Sequence, residues 1–266
     1  MNPEIQELIA PYTGTVRRVA VIDAGYRADV TASVEADRGR FFVKAFKEAG
    51  TVSEPREVAL NPYVAGIGPA LVGHARSESW TALVYVFIEG RHADLSPSSP
   101  DIARVVSLID HVGRVRLPES GPWRHRTWRD VATADEARLL DGGALLHSDI
   151  NPENFLVDGT QAWLVDWSSP FLGAAVVNLG ELVTQLIAAG HSPAEAEHAV
   201  SGCEVWADAE PGVIDALARV LARMHRGWER DRPGWRARFP EGSWHRAISP
   251  AVEAWASYRL STSGHD

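Results

Sequence analysis

The stretch from Leu145 to Asp166, LLHSDINPENFLVDGTQAWLVD, constrains this chain more than any other. An apolar pair leads into His147-Ser148-Asp149, and Asn154 follows five residues after the aspartate. Phe155-Leu156-Val157 reads as a strand, Asp158-Gly159 as a tight turn and Trp163-Leu164-Val165 as the returning strand. Apolar runs flanking an Asp-Gly pair are a strong local hairpin signal, because both central turn positions favour residues that tolerate positive φ. The second strand delivers Asp166 beside the loop carrying Asp149 and Asn154. One loop and one hairpin thus gather three side chains suited to holding a metal or handling a proton.

The remaining composition sets outer limits. At 266 residues the chain is one large domain or two lobes, and an apolar fraction of 45% supplies a sizeable core. A net charge of −9 argues against a nucleic-acid partner, which needs a basic stripe to neutralise phosphates. Cys203 is the only cysteine, so intramolecular disulfides and cysteine zinc sites are excluded. The start, MNPEIQELIAPY, lacks a basic, then apolar, leader pattern, and no run of 18 or more apolar residues occurs. A soluble cytoplasmic protein with no membrane segment and no obligate protein partner is expected.

The basic residues are unevenly chosen. Of 26 Lys+Arg, only Lys44 and Lys47 are lysines. Lysine presents a compact point charge where arginine presents a wide fork, so a site needing one cation against phosphate oxygens could retain a lysine against this bias. Lys44 alternates with Phe42 and Phe46 on one face of a strand, and a lysine on a half-buried face is costly unless it meets an anion. Lys47 falls on the opposite face and reads as a solvated charge.

Around Lys44 the pattern is that of a sheet. Glu4–Ala10 reads as a short helix, and Thr15–Asp23, Asp29–Ala36 and Arg40–Lys47 as three antiparallel strands. Gly25, in the turn between the first two, could let the backbone approach a phosphate, although an ordinary hairpin turn explains it equally well. A helix starts near Ser53 with Pro55 in its first turn; Glu57, or Glu54, can reach back towards Lys44. Glu57 also suits a solvated first-turn carboxylate. Asn61 is expected to cap a further short turn at Pro62. Ala70–His74 and Trp80–Val86 complete five strands, after which Phe87-Ile88-Glu89-Gly90 leaves the sheet.

The rest is mostly helical. Ser99-Pro100, Ser192-Pro193 and Ser249-Pro250 are cap-plus-proline helix starts. Helices are expected from Ser99 past Val112, over Thr127–Leu140, and near Ala174–Ala189, Pro193–Trp206, Val213–Trp228 and Ser249–Ser261. Arg230–Trp244 reads as a loop. Six of the ten tryptophans lie from Trp167 onward, mostly as core, with one or two available to a substrate pocket.

The H-x-D-x-x-x-x-N pattern, its hairpin and the following aspartate resemble the catalytic core of the protein-kinase-like superfamily, and within it the aminoglycoside phosphotransferase family of small-molecule kinases. That resemblance implies an α+β, bilobal protein-kinase-like fold: an N-terminal five-stranded antiparallel sheet plus helix (residues 1–88), a hinge (89–95) and a mostly helical C-terminal lobe (96–266). It implies ATP and Mg²⁺ as cofactors. Asp149 would be the catalytic carboxylate at the acceptor hydroxyl, Asn154 and Asp166 the Mg²⁺ ligands, and Lys44, paired with Glu57, the contact to the non-transferred phosphates. Gly25 and the hinge at Glu89 would border the nucleotide. His147 reads as structural.

Departures narrow the class. Ser148 stands where protein kinases carry an arginine, Trp167-Ser168 replaces Phe-Gly, and only about eight residues separate Asp166 from the next helix. A peptide-docking activation segment has no room. Asn178 occupies a position where the resembled family often has an aspartate bracing the catalytic loop. Residues 1–90 net −2 and the remainder −7, which favours a cationic acceptor such as an aminoglycoside-type antibiotic or simply serves solubility. The readings are an O-phosphotransferase acting on such an antibiotic, with a role in resistance; a metabolic kinase for an amino alcohol, sugar or amino acid; and a catalytically silent nucleotide-binding regulator.

Overall fold

The computed structural model describes residues 1–22, 28–47, 54–128 and 130–263. Helix α1 (Pro3–Thr13) starts where the Asn2 side chain accepts a hydrogen bond from the Glu4 amide at 3.0 Å. It runs a turn of sequence beyond the expected end. Strands β1 (Val16–Val21), β2 (Val30–Ala36) and β3 (Gly39–Lys47) follow, then α2 (Glu54–Leu60), β4 (Leu71–Arg76) and β5 (Trp80–Val86). The five strands form one antiparallel sheet in the order β1-β2-β3-β5-β4.

Alternation along β3 decides what each face does. Phe41, Val43 and Ala45 pack with Ile5 and Ile9 of α1. Each isoleucine is fully buried, which contributes roughly 1.5–3 kcal/mol apiece. Phe42 and Phe46 face the other way, against Leu83 and Tyr85, and Lys44 lies between them on that side. Lys47, on the α1 face but at the strand's end, is exposed.

Asn61 does not cap. The preceding residue, Leu60, is itself helical in backbone angles, so the chain lacks the extended residue a cap requires. Instead Asn61 donates to the Pro69 carbonyl at 2.8 Å and accepts from the Leu71 amide at 2.9 Å, fixing the start of β4.

The C-terminal part contains β6 (Arg91–His92), α3 (Ile102–Arg114), α4 (Ala134–Leu139), β7 (Ala144–Leu146), β8 (Phe155–Val157), β9 (Ala162–Leu164), β10 (Phe171–Gly173), α5 (Val176–Ala188), α6 (Pro193–Val200), α7 (Glu204–Ala207), α8 (Pro211–Asp231) and α9 (Trp244–Ser263). Helix α5 is its axis, buried along most of its length and packed by α3, α8 and α9. A Cβ on Gly180 would lie 2.3 Å from Leu217 and 3.1 Å from Trp255, so glycine at this point lets α8 and α9 close on α5. The short sheets β6-β8-β9 and β10-β7 sit on top of this bundle, and the Leu164 amide, at the end of β9, donates to the Ile67 carbonyl at 2.8 Å. That bond ties the hairpin to the segment joining α2 and β4. No helix among the described residues is long and apolar enough to cross a membrane.

Several expected helices are shorter or shifted. Helix α3 begins at Ile102 rather than Ser99, because Asp101 is taken up by Arg91 and the Asp94 amide. Only Ala134–Leu139 of the 127–140 stretch is helical: the Arg126 amide and the Arg124 carbonyl both pair with Leu172 at 2.8 Å, committing that backbone to β10. The helix then starts at a capping box formed by Thr133 and Glu136. Ser192-Pro193 starts α6 as expected, with Glu195 closing its box, but the 193–206 stretch breaks into α6 and α7. Pro250 lies inside α9, which begins at Trp244; the residue is exposed, where one lost backbone bond is tolerable.

Candidate active site

Lys44 is the centre of a buried charge triangle. Its ammonium donates to Glu57 Oε2 at 3.0 Å and to Asp166 Oδ1 at 2.6 Å. Tyr85 donates to the same Glu57 oxygen at 2.9 Å. Lys44 and Glu57 are almost fully buried, and such charges persist only when paired and hydrogen-bonded. Burial opposes the Lys44 charge, yet the carboxylates of Glu57 and Asp166 outweigh it and hold the ammonium above its ordinary range. Burial likewise works against Asp166, and the Lys44 charge beside it more than compensates, holding the carboxyl below its usual value. Both side chains are therefore ionised at neutral pH.

The loop between β7 and β8 is held from beneath. His147 is fully buried. Its amide donates to Asn178 Oδ1 at 3.0 Å, its Nε2 to the Val165 carbonyl at 2.9 Å, and its ring meets Trp167 edge-on at 4.6 Å. Burial pushes its pKa down despite the nearby Asp149 and Asp166. Asn178 also donates to the Leu145 carbonyl at 2.8 Å. An amide can both accept from His147 and donate to Leu145, which an ionised aspartate cannot. Asn178 thus pins the start of the loop with two bonds, to Leu145 and to His147.

Of the three non-glycine residues with left-handed backbone among those described, two lie here: Ser148 with φ 64° and Asp166 with φ 63°. Non-glycine residues adopt this region at a cost, and such strain concentrates where side chains must be aimed. Asp149, next to Ser148, has both oxygens held: Oδ1 accepts from Asn151 at 2.9 Å and Oδ2 from Asn154 at 3.1 Å. Asn154 donates further to the Asp149 carbonyl at 2.9 Å, and the Val165 amide donates to the Asn154 carbonyl at 2.9 Å. Loop and hairpin are therefore one hydrogen-bonded unit.

Lys44, Glu57, Asp149, Asn154 and Asp166 all line one cavity of about 1100 Å³ between the sheet and the helices. The structure brings these five together. It does not bring the Glu89 side chain in: that carboxylate is exposed and binds Arg40 at 2.9 and 3.0 Å, while Phe87, Ile88 and Gly90 line the cavity. Gly25 lies outside the described residues.

The donor set suits a hard divalent cation. Asn154 commits its side-chain nitrogen to Asp149, which leaves its side-chain oxygen Oδ1 as the free group, and Asp166 supplies carboxylate oxygen on the same cavity wall. Magnesium takes one or two such protein ligands and completes its shell with phosphate and water. Among the described residues no cluster of three His, Cys, Asp or Glu side chains forms a metal cage.

No protein-family model matches the sequence, and no curated protein is significantly similar to it. Solved structures are similar to it along nearly the whole chain. A spectinomycin phosphotransferase, solved with ADP and spectinomycin, superimposes with a TM-score of 0.64 at 12% identity, over 97% of this chain and 98% of that one. An aminoglycoside phosphotransferase from Alicyclobacillus acidocaldarius gives 0.67 at 13% identity, over 100% and 97%. The choline kinase LicA from Streptococcus pneumoniae gives 0.60 at 13% identity, over 96% and 98%. The chain has the aminoglycoside phosphotransferase fold.

In this kinase-like fold the cavity extends beyond Asp149 to a wall that the sequence left unassigned. Arg126, Glu181, Met224, His225, Trp228, Trp235, Arg236 and Trp244 line it. Met224, His225 and Trp228 share one face of α8, where a histidine and an aromatic interrupt an otherwise aliphatic stripe. That interruption was the available signal.

His225 yields a stability prediction. Burial, reinforced by the Arg236 charge at 3.2 Å, pushes its pKa down to about 4 from 6.5. The fold holds it neutral, so the unfolded chain binds the proton first, and stability falls as pH drops from about 6.5 towards 4. The loss is at most roughly 3 kcal/mol for this residue. Urea unfolding at pH 7.5 and 4.5 should show a smaller pH-dependent loss in His225→Gln than in the wild type. An equal loss in both would remove His225 as its source.

Proposed function

We propose that the protein is an ATP- and Mg²⁺-dependent O-phosphotransferase that moves the γ-phosphate to a hydroxyl of a small molecule. One observation carries this reading: Asp149, held by the Asn151 and Asn154 amides, and the Lys44–Glu57–Asp166 triangle open on the same cavity. Lys44 binds the non-transferred phosphates, and Glu57 fixes where its ammonium stands. Asn154 and Asp166 hold the metal, which when bound neutralises phosphate charge. Asp149 orients the acceptor hydroxyl and takes its proton. The acceptor oxygen bonds to the γ-phosphorus as the bond from that phosphorus to the β,γ-bridging oxygen breaks, and ADP leaves.

Phosphoryl transfer asks for positioning and electrostatics rather than covalent help, and a pre-set loop supplies both. The likeness to antibiotic phosphotransferases makes an aminoglycoside-type antibiotic the first acceptor class to try, with amino alcohols and sugars next. A screen of ADP release from Mg–ATP across hydroxylated acceptors tests the reaction. Acceptor-dependent release is expected. Tight nucleotide binding with no release from any acceptor would favour a silent nucleotide-binding regulator instead.

A further inference from the structure

The Lys44–Glu57–Asp166 triangle has a fourth member. Tyr85 of β5 pairs with Phe42 of β3, and Leu83 pairs with Lys44. Opposed residues of an antiparallel pair share a face, so Tyr85 is the diagonal neighbour of Lys44 on the cavity side of the sheet. Both reach α2. The Lys44 ammonium at 3.0 Å and the Tyr85 hydroxyl at 2.9 Å donate to the same oxygen, Glu57 Oε2. The other oxygen, Oε1, is buried with no hydrogen-bond partner among the described residues. Glu57 is therefore held through a single oxygen, by a charged donor and a neutral one.

The surroundings make the neutral donor matter. Tyr85 is buried, and it packs with Phe46 and Leu83 against Phe42, Val58 and Leu71. A carboxylate in such apolar surroundings is costly unless it is paired. Lys44 divides one positive charge between two carboxylates, Glu57 and Asp166, so the triangle already carries more negative than positive charge. Phosphates add to that excess, and a lysine that engages them has less charge to share with Glu57. A second cation beside Glu57 would make up the share but would also attract the phosphates. A hydroxyl donates to the carboxylate without bringing a charge that competes for phosphate.

The same bond fixes a helix. Asn61, just past the end of α2, is tied to the Pro69 carbonyl and the Leu71 amide. The Tyr85–Glu57 bond ties the middle of α2 to β5. The helix is thus registered on the sheet at two points, and one of them is in the site.

We propose that Tyr85 is a positioning residue for nucleotide binding: its hydroxyl keeps Glu57 in place while Lys44 engages the phosphates. The proposal rests on the phosphotransferase reading for the phosphates and on the shared Glu57 oxygen for the role. Tyr85→Phe keeps the ring and leaves Glu57 to Lys44 alone. With that grip loosened, the ammonium settles towards Asp166, already 2.6 Å away, on the carboxylate assigned to the metal.

A double-mutant cycle on nucleotide affinity tests this without an acceptor. Calorimetric titration with Mg–ADP and with Mg–AMPPNP compares the wild type, Tyr85→Phe, Glu57→Met and the double variant, with circular dichroism to verify folding. Tyr85→Phe is expected to weaken Mg–nucleotide binding about five- to tenfold, the scale of one hydrogen bond to a charged group. Glu57→Met should weaken it further. In that background, removing the hydroxyl should cost no more than about twofold, because there is no carboxylate left for it to act through. A tyrosine that only packs gives either no effect or one that adds independently to that of Glu57→Met. Unchanged affinity in Tyr85→Phe, or its full penalty persisting beside Glu57→Met, overturns the proposal. The phosphotransferase reading fails separately. Coupled binding with no ADP release from any acceptor sustains the role of Tyr85 and removes the reaction, whereas a wild type that binds no Mg–nucleotide removes both.

Discussion

Asp149→Asn is expected to bind Mg–nucleotide with nearly wild-type affinity and to turn over roughly 10²–10⁴-fold more slowly, the usual contribution of a positioned base. The substitution keeps the side chain's size. The Asn154 amide still bonds to the residue 149 carbonyl, so the loop retains one of its internal ties. What is lost is the negative charge that orients the hydroxyl and receives its proton. Calorimetry with the nucleotide and initial rates of ADP release read the two effects separately. If nucleotide affinity falls as far as the rate does, Asp149 is a metal ligand and the assignment of roles is wrong.

Asp166→Ala should behave oppositely. It removes a proposed metal ligand, so turnover should fall by about 10³-fold or more, and nucleotide affinity should lose most of its magnesium dependence. The fold should survive, because Lys44 keeps Glu57 at 3.0 Å and the buried ammonium is not stranded. Circular dichroism verifies folding, and titration with and without magnesium reads the coupling. Wild-type turnover at saturating magnesium would end the assignment of Asp166 as a ligand.

Much of this arrangement was legible in the residue order, for definite reasons. Alternation along Phe41–Lys47 placed Lys44 on the cavity side and Lys47 on the other, because strand side chains alternate strictly. The hairpin Phe155–Leu164 followed from its Asp-Gly turn. Ser192-Pro193 was a true start, whereas Ser249-Pro250 was not. The same dipeptide fits a helix interior once the proline faces solvent and packing on both sides carries the helix through it. The helix expected from Thr127 starts later, and the residues just before it, Arg124 and Arg126, pair with Leu172 of a strand later in the chain, a long-range commitment no local window reveals. The capping box at Thr133-Glu136 was there to be read and marks the true start.

The candidate site divides in the same way. Asp149, Asn154 and Asp166 fall within one short stretch, so spacing alone groups them. Glu57 needed the fold to select it. Arg126, Glu181, Trp228 and Trp235 lie on four separate segments with no mutual spacing, and only packing makes them neighbours. Glu89 was expected near the nucleotide from chain order, but its charge is satisfied by Arg40 outside the cavity. Asn178 departs from the residue type the resemblance implied and still ties the start of the loop twice, because the amide supplies the donor as well as the acceptor.

The Trp244–Glu153 hydrogen bond is the seam between two inheritable parts of the molecule. On one side is a short, strained loop whose geometry admits little variation. On the other is the connection from α8 to α9, residues 232–243, which hangs between two helix ends and carries Trp235 and Arg236. Length and sequence can change in that connection without disturbing β7, β8 or β9. Drift or deliberate exchange of a dozen residues can therefore reshape that end of the cavity while the loop carrying Asp149 stays fixed. Structures that share this fold with the chain at 12–13% identity include a spectinomycin phosphotransferase and a choline kinase, two proteins named for quite different molecules.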